Sequence, residues 1–255
     1  MDLYKYYSHP EQLNRYAEAD QIVPSRVYAK AQSGVKLTLK QINTIAKDAW
    51  HAYHYARYIL EKPFPKGEDA ISKNAEYAYE YACNIIKGPF PAGEDAISKD
   101  ARYAYEYARD VLRRPWPKGE DAIAKKAWYA CYYACYVIKG PFQKGENAIA
   151  KNAEYAYQYA LNVIKGPFPA GEDAISKDAR YAYEYARDVL RGPWPKGENA
   201  IAKNAEYAYQ YALNVINGPF PAGEDAISKD AEYAYQYARN VLKLPEEQAR
   251  RWGSK

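Results

Sequence analysis

The sequence has only three cysteines, three histidines and one methionine in 255 residues. Three cysteines cannot build the disulfide framework of a small secreted domain, and their scarcity fits a reducing compartment. No stretch of about 18 apolar residues occurs, so neither a membrane-spanning helix nor a membrane partner is expected. The N-terminal segment MDLYKYYSHPEQ lacks the basic-then-apolar order of a secretory signal, and the chain reads as a soluble, cytoplasmic protein. Neither sign of charge dominates. Lys and Arg number 36 against 32 Asp and Glu, leaving a formal net charge of +4. That excludes a charged disordered tail and argues against a protein wholly committed to nucleic acid. Phe and Trp number five each, whereas Tyr numbers 30 and carries most of the aromatic content.

Catalytic signatures are absent too. There is no Walker loop, dinucleotide glycine fingerprint, nucleophile elbow or H-E-x-x-H motif. His51 and His54 stand one helical turn apart, but no acidic or cysteine ligand completes a metal set beside them. Cys131 and Cys135, at i and i+4, supply two soft ligands and no more, and read as small apolar fillers. Carboxylates are abundant but recur identically in unit after unit, whereas a catalytic pair needs one special environment that separates two pKa values. Neither enzyme activity nor a cofactor or metal is expected.

What the sequence does contain is a repeat. Residues 89–113 return letter for letter at 167–191, and 145–164 return at 197–216. The period is 26 residues, with full units opening at Lys62, Gly88, Arg114, Gly140, Gly166, Gly192 and Gly218. A degenerate unit at 36–61 precedes them, making eight. Within the unit opening at Gly88, Gly88-Pro89 reads as a helix stop, with the glycine in the left-handed cap. Phe90-Pro91 reads as a stiff connector. A short helix over about 91–99 follows, with Glu94 and Asp95 at its positive end. Asp100 then sits where a second helix, 101–113, needs an N-cap. Ala101, Ala104, Tyr105, Ala108, Val111 and Leu112 form the apolar stripe of that helix. The Tyr-Ala-Tyr alternation resembles strand period, but the apolar set continues at helical spacing and alanine disfavours strands. One hairpin cannot bury its own apolar face, whereas stacked hairpins can. The expected fold is therefore all-α: an α-solenoid of about eight two-helix repeats over 36–243, with an N-terminal helical cap at 1–35 and a C-terminal cap or tail at 244–255. The connector rings Phe64, Phe90, Trp116, Phe142, Phe168, Trp194 and Phe220 are expected to plug the seams between units.

The pattern [FW]-P-x-G-E-x-A-I-[AS]-K, followed by A-x-Y-A-Y-x-Y-A, resembles the short helical hairpins of Sel1 and tetratricopeptide arrays. It is also similar to repeats in proteins of large bacteriophages and giant viruses. The resemblance covers about 36–243. It implies an α-solenoid and, for Sel1-like arrays, protein–protein scaffolding without a catalytic residue. The viral likeness implies a host-directed factor, such as an inhibitor of a host protein or defence system, acting in the host cytoplasm.

Twenty-two of the 30 tyrosines fall in three columns of the second helix. The Tyr79, Tyr105, Tyr157, Tyr183, Tyr209 and Tyr235 column is expected inside the apolar stripe, flanked by the Tyr77 and Tyr81 columns. The rings are read as a tyrosine-rich core, with a base-stacking platform as the functional alternative. One lysine recurs per unit, at Lys47, Lys73, Lys99, Lys125, Lys151, Lys177, Lys203 and Lys229, and such a ladder could follow a phosphate backbone. Glu68, Glu94, Glu120, Glu146, Glu172, Glu198 and Glu224 recur as regularly and are read as solvated helix ends that offset it.

Information resides where a copy deviates. The outer stripe of the second helix is normally polar, as in Glu154, Gln158 and Asn162. In the unit opening at Arg114 the same positions hold Trp128, Tyr132 and Tyr136, with Cys135 alongside. In the degenerate unit they hold Trp50, His54 and Tyr58. Spacing of i, i+4, i+8 puts each triplet on one helix face. The unit opening at Arg114 also carries Lys126 in place of the Asn or Asp cap, and Cys131 in place of a core tyrosine. The N-terminal extension, with Tyr4, Tyr6, Tyr7, Leu13 and Tyr16, is expected to cover the first stripe. The second is expected to contact another molecule, either a partner protein or a second copy of this chain, because Trp and Tyr carry interface energy; a small-molecule or base-stacking pocket and packing within the chain are its alternatives. The function expected is a non-enzymatic protein-binding scaffold. The alternative is a nucleic-acid-binding solenoid that uses the lysine ladder with tyrosine stacking.

Overall fold

The computed structural model describes residues 23–253, and every regular element among them is helical. No helix among the described residues is long and apolar enough to cross a membrane. The chain divides into two compact units, one through Gly93 and one from Glu94.

The first unit opens with α1 (Pro24–Gln32), α2 (Leu39–Ile45) and α3 (Ala49–Tyr55). Proline at the first turn suits α1, since its missing N–H would be unpaired there in any case. The helix buries Val27, Tyr28 and Ala31 and packs against α2 and α3. Thr38 and Gln41 form a reciprocal capping box that starts α2. Asp48 caps α3 by accepting the His51 N–H at 2.9 Å.

The second unit contains most of the repeats, and 140–166 illustrates their construction. Phe142, buried in the connector, precedes a short helix, Gln143–Ile149. The chain turns, and Asn152 caps the next helix, Ala153–Tyr159, by accepting the Tyr155 N–H at 3.1 Å. The last turn, Ala160–Ile164, widens to π geometry. The N–H groups of Lys165 and Gly166 both reach the Ala160 carbonyl, so a single acceptor closes the helix.

That widened turn corrects the expected helix stop. The left-handed residue stands two places before each connector proline: Lys87, Arg113, Lys139, Lys165, Arg191 and Asn217 all have φ between 52° and 58°. Gly88 and Gly166 have no positive φ. The π turn holds one more residue per hydrogen bond than an α turn, so the chain reverses one position early. The glycines that cannot be replaced lie in the first turn of the short helix. A Cβ on Gly145 would sit 2.6 Å from the Phe142 ring and 2.7 Å from the Ala130 Cβ.

The helices pack in adjacent pairs. The tightest partner of a long helix is the short helix after it: Ala127–Tyr133 packs on Gln143–Ile149, and Ala101–Glu106 on Pro117–Ile123. Long helices also contact the next long helix along the chain. Connector rings fill the junctions as expected, with Phe142, Phe168 and Phe220 each about 5.1 Å from the tyrosine nine residues earlier. After the last long helix, Ala231–Asn240, the chain forms Glu246–Arg251 and places Trp252 against Tyr237 at 5.1 Å, where the earlier copies use a connector ring.

The three tyrosine columns have distinct jobs, and their burial order differs from the expected one. The Tyr81 column, expected at the flank, is the most buried: Tyr81, Tyr133, Tyr159, Tyr185, Tyr211 and Tyr237 are fully enclosed. Each hydroxyl accepts the connector N–H and donates to a glutamate. In one copy Phe142 N–H to Tyr159 Oη and Tyr159 Oη to Glu146 Oε1 are both 2.9 Å. The recurring glutamates are therefore half-buried acceptors for phenols rather than solvated helix ends. The Tyr79 column reaches the next repeat, where Tyr209 accepts from Asn240 at 2.8 Å and Tyr157 donates to Asp188 at 2.8 Å. The Tyr77 column lays its rings on the previous repeat, as Tyr207 does on Tyr183 at 6.1 Å.

Candidate functional site

The structure carries both deviant triplets as continuous aromatic stacks. Trp128 lies on Tyr132 with ring centroids 4.6 Å apart and planes at 22°, and Tyr132 leads to Tyr136 at 5.4 Å. Trp128 is 37% exposed and Tyr136 60%. The indole edge also meets Tyr129 at 4.5 Å and Tyr105 at 5.9 Å, which fixes the ring's orientation. Most exposed side chains could wander, whereas this one is clamped on three sides by rings.

The stack replaces polar groups that elsewhere tie repeats together. Tyr136 occupies the position of Asn84, Asn214 and Asn240, which donate to tyrosine hydroxyls 31 residues earlier. Tyr105, 31 residues before Tyr136, takes a hydrogen bond from Arg109 on its own helix at 3.3 Å instead. Cys131 stands where the Tyr79 column would continue, and its thiol reaches the Tyr155 carbonyl at 3.7 Å. Its hydrogen bond with Cys135, reinforced by burial, pushes the Cys131 thiol up, while the same bond holds Cys135 down. Lys126 makes no side-chain cap, whereas Asn152, Asp178 and Asn204 do in the repeats that follow. This repeat thus gives up a cap and inter-repeat hydrogen bonds while exposing aromatic surface.

The first triplet has the same geometry and a different environment. Trp50 and His54 stack at 3.9 Å with planes at 20°, and Tyr58, 51% exposed, follows at 5.7 Å from His54. Tyr28 of α1 packs edge-on against Trp50 at 5.4 Å, so the extension covers one end of this stripe. Tyr4, Tyr6, Tyr7, Leu13 and Tyr16 lie outside the described residues. Burial holds the His54 ring below its ordinary pKa, against the opposing hydrogen bond to the Trp50 carbonyl at 2.8 Å. His51 is tied through Nδ1 to Asp48 at 2.6 Å, and its Nε2 is buried without a partner. No group of three or more His, Cys, Asp or Glu side chains is placed to hold a metal ion among the described residues.

All eight lysines of the ladder are exposed. Lys73 and Lys229 pair with Asp69 and Asp225 at 2.8 and 2.7 Å, and the other six make no ion pair among the described residues. Open clefts run between these lysines and the next repeat. One, about 710 Å³, borders Trp128 and includes Tyr129 and Tyr155 in its wall, two rings that pattern breaks alone did not single out. The readable signal was the loss of acidic residues around it, at Lys126, Asn147 and Asn152.

Comparison with protein-family models, curated proteins and solved structures finds no match to this chain.

Proposed function

We propose that the chain is an α-solenoid of about eight two-helix repeats that acts as a non-enzymatic scaffold and binds a protein partner through Trp128, Tyr132 and Tyr136. The carrying observation is the clamped, exposed stack at positions where the other repeats place polar side chains. Rigid aromatic anchors lose little entropy on binding, and Trp and Tyr dominate interface hot spots. Cys135 borders the stack, while the half-covered Trp50, His54 and Tyr58 stripe forms a secondary contact. Sel1-like scaffolding and a host-directed cytoplasmic role belong to the same proposal, as extensions of the resemblance.

The test pairs the intact chain with a Trp128→Glu, Tyr132→Gln variant that restores the polar pattern. Affinity capture from source cells and solution mass by light scattering are run on both. The reading expects a partner, or a second copy of the chain, that the variant loses while its helical content is retained. Unchanged capture and unchanged mass would remove it. The nucleic-acid reading is favoured by the unpaired ladder lysines, and salt separates the two. Strand binding falls steeply between low and moderate salt, and an aromatic-anchored protein contact does not.

A further inference from the structure

The cleft beside Trp128 differs from its counterparts in charge rather than size. Comparable clefts of about 670 and 630 Å³ are lined in part by Asp48 and Asp69 in one case, and by Asp225 and Asp230 in the other. The corresponding positions beside Trp128 are Lys126, Asn147 and Asn152, and no carboxylate lines the cleft. Reading the same cap and first-turn positions along the sequence finds at least one aspartate at every other junction between successive repeats.

Lys125, Lys126 and Lys151 line this cleft, are exposed and make no ion pair among the described residues. Lys144, also in the wall, is shared with Asp121 at 3.2 Å and Glu120 at 3.5 Å. The cluster contains no arginine; its lysines act as point charges, which hold a phosphate without a bidentate fork. The remaining wall is aromatic: Trp128, Tyr129 and Tyr155. Tyr132 stacks on the indole from outside the cleft and holds the ring in place.

From this combination we infer that the cleft binds a nucleoside phosphate. The heterocycle stacks on Trp128, and the phosphate lies among Lys125, Lys126 and Lys151. A cleft of this volume falls within the range of about 300–1,000 Å³ typical of small-molecule sites. The inference concerns one cleft and does not depend on the protein-partner proposal or on a ladder running through every repeat. A free nucleotide and one residue of a single strand share this chemistry.

The experiment is calorimetric titration of the full chain with ATP, tripolyphosphate, a short single-stranded DNA oligonucleotide and a hexaglutamate peptide. It is repeated on Lys126→Asp and Trp128→Leu. Lys126→Asp restores the cap used by the other repeats, so it is expected to fold at least as well as the parent. Saturable ATP binding is expected, weakened about 10-fold or more by Lys126→Asp and falling with salt. Tripolyphosphate is expected to bind more weakly than ATP in the parent and equally to ATP in Trp128→Leu. Oligonucleotide binding with the same dependence on both residues identifies a strand as the source. ATP binding without it identifies the free nucleotide. No saturation by ATP or oligonucleotide overturns the inference. So does ATP binding that Lys126→Asp leaves unchanged, tripolyphosphate as tight as ATP in the parent, or hexaglutamate tighter than ATP.

Discussion

Replacing Tyr159 with Phe removes one oxygen from the interior and leaves the ring in place. That oxygen accepts the Phe142 N–H and donates to Glu146, both at 2.9 Å. Both Tyr159 and Phe142 are buried, so water cannot readily replace the lost acceptor. An unsatisfied buried donor costs about 1–3 kcal/mol. Glu146 reaches solvent and recovers most of its loss, which places the total at about 2–3 kcal/mol. In the proposed solenoid the loss is local, because each repeat would contact only its neighbours. The sensitive assay is amide exchange at Phe142 together with urea unfolding. A loss of about 2 kcal/mol accelerates exchange roughly 30-fold. Tyr207→Phe is the control, since the Tyr207 hydroxyl makes no hydrogen bond among the described residues, and a cost within about 0.5 kcal/mol is expected there. If Tyr159→Phe costs no more than Tyr207→Phe, the phenol does not lock the connector and the account of the glutamate column falls with it.

Further outcomes follow from the same geometry. Gly145→Ala is expected to cost about 3 kcal/mol through overpacking against Phe142 and Ala130. Gly166→Ala, where a Cβ meets nothing within 4 Å, is expected to stay within about 0.5 kcal/mol, and equal thermal shifts for the pair would contradict the close packing of Gly145 on Phe142 and Ala130. Lys126→Asn is expected to raise stability by about 1 kcal/mol by supplying the missing cap, read in urea unfolding. Burial raises the Tyr133, Tyr185 and Tyr211 phenols from 10.0 to about 12. Between those values the unfolded chain releases phenolic protons that the folded chain keeps. The stability these phenols contribute is complete below pH 10 and is lost as pH rises through about 12. Circular dichroism and phenolate absorbance followed together across that window are expected to show the buried phenols ionising only as helix is lost. Their full ionisation with helix intact would refute this.

Much of the local structure can be read from the one-dimensional pattern. Asn152 and Asp178 stand one residue ahead of an apolar helical stripe, and both cap as that position requires. The connector rings precede a short helix in each unit, and they are buried because nothing else fills the seam. The departures at Trp128, Tyr132 and Tyr136 were visible because the neighbouring copies supply the control. Whether those rings pack inward or face solvent was not visible, since helical spacing assigns a shared face and leaves open what covers it.

Periodicity thus determined by itself that the chain is helical, that it repeats every 26 residues and which two repeats break the rule. Those properties depend on residues within a turn or two of one another. The tertiary structure alone decided which tyrosine column is enclosed, why Gly145 has no room for a Cβ and why the glutamates recur. It also placed the left-handed residue at Lys165 rather than Gly166 and gathered lysines and rings into one acid-free cleft. The phenol bonds among them join atoms that are 13, 17 or 31 residues apart in sequence and 2.8–2.9 Å apart in space. Local propensity carries no term for such a meeting.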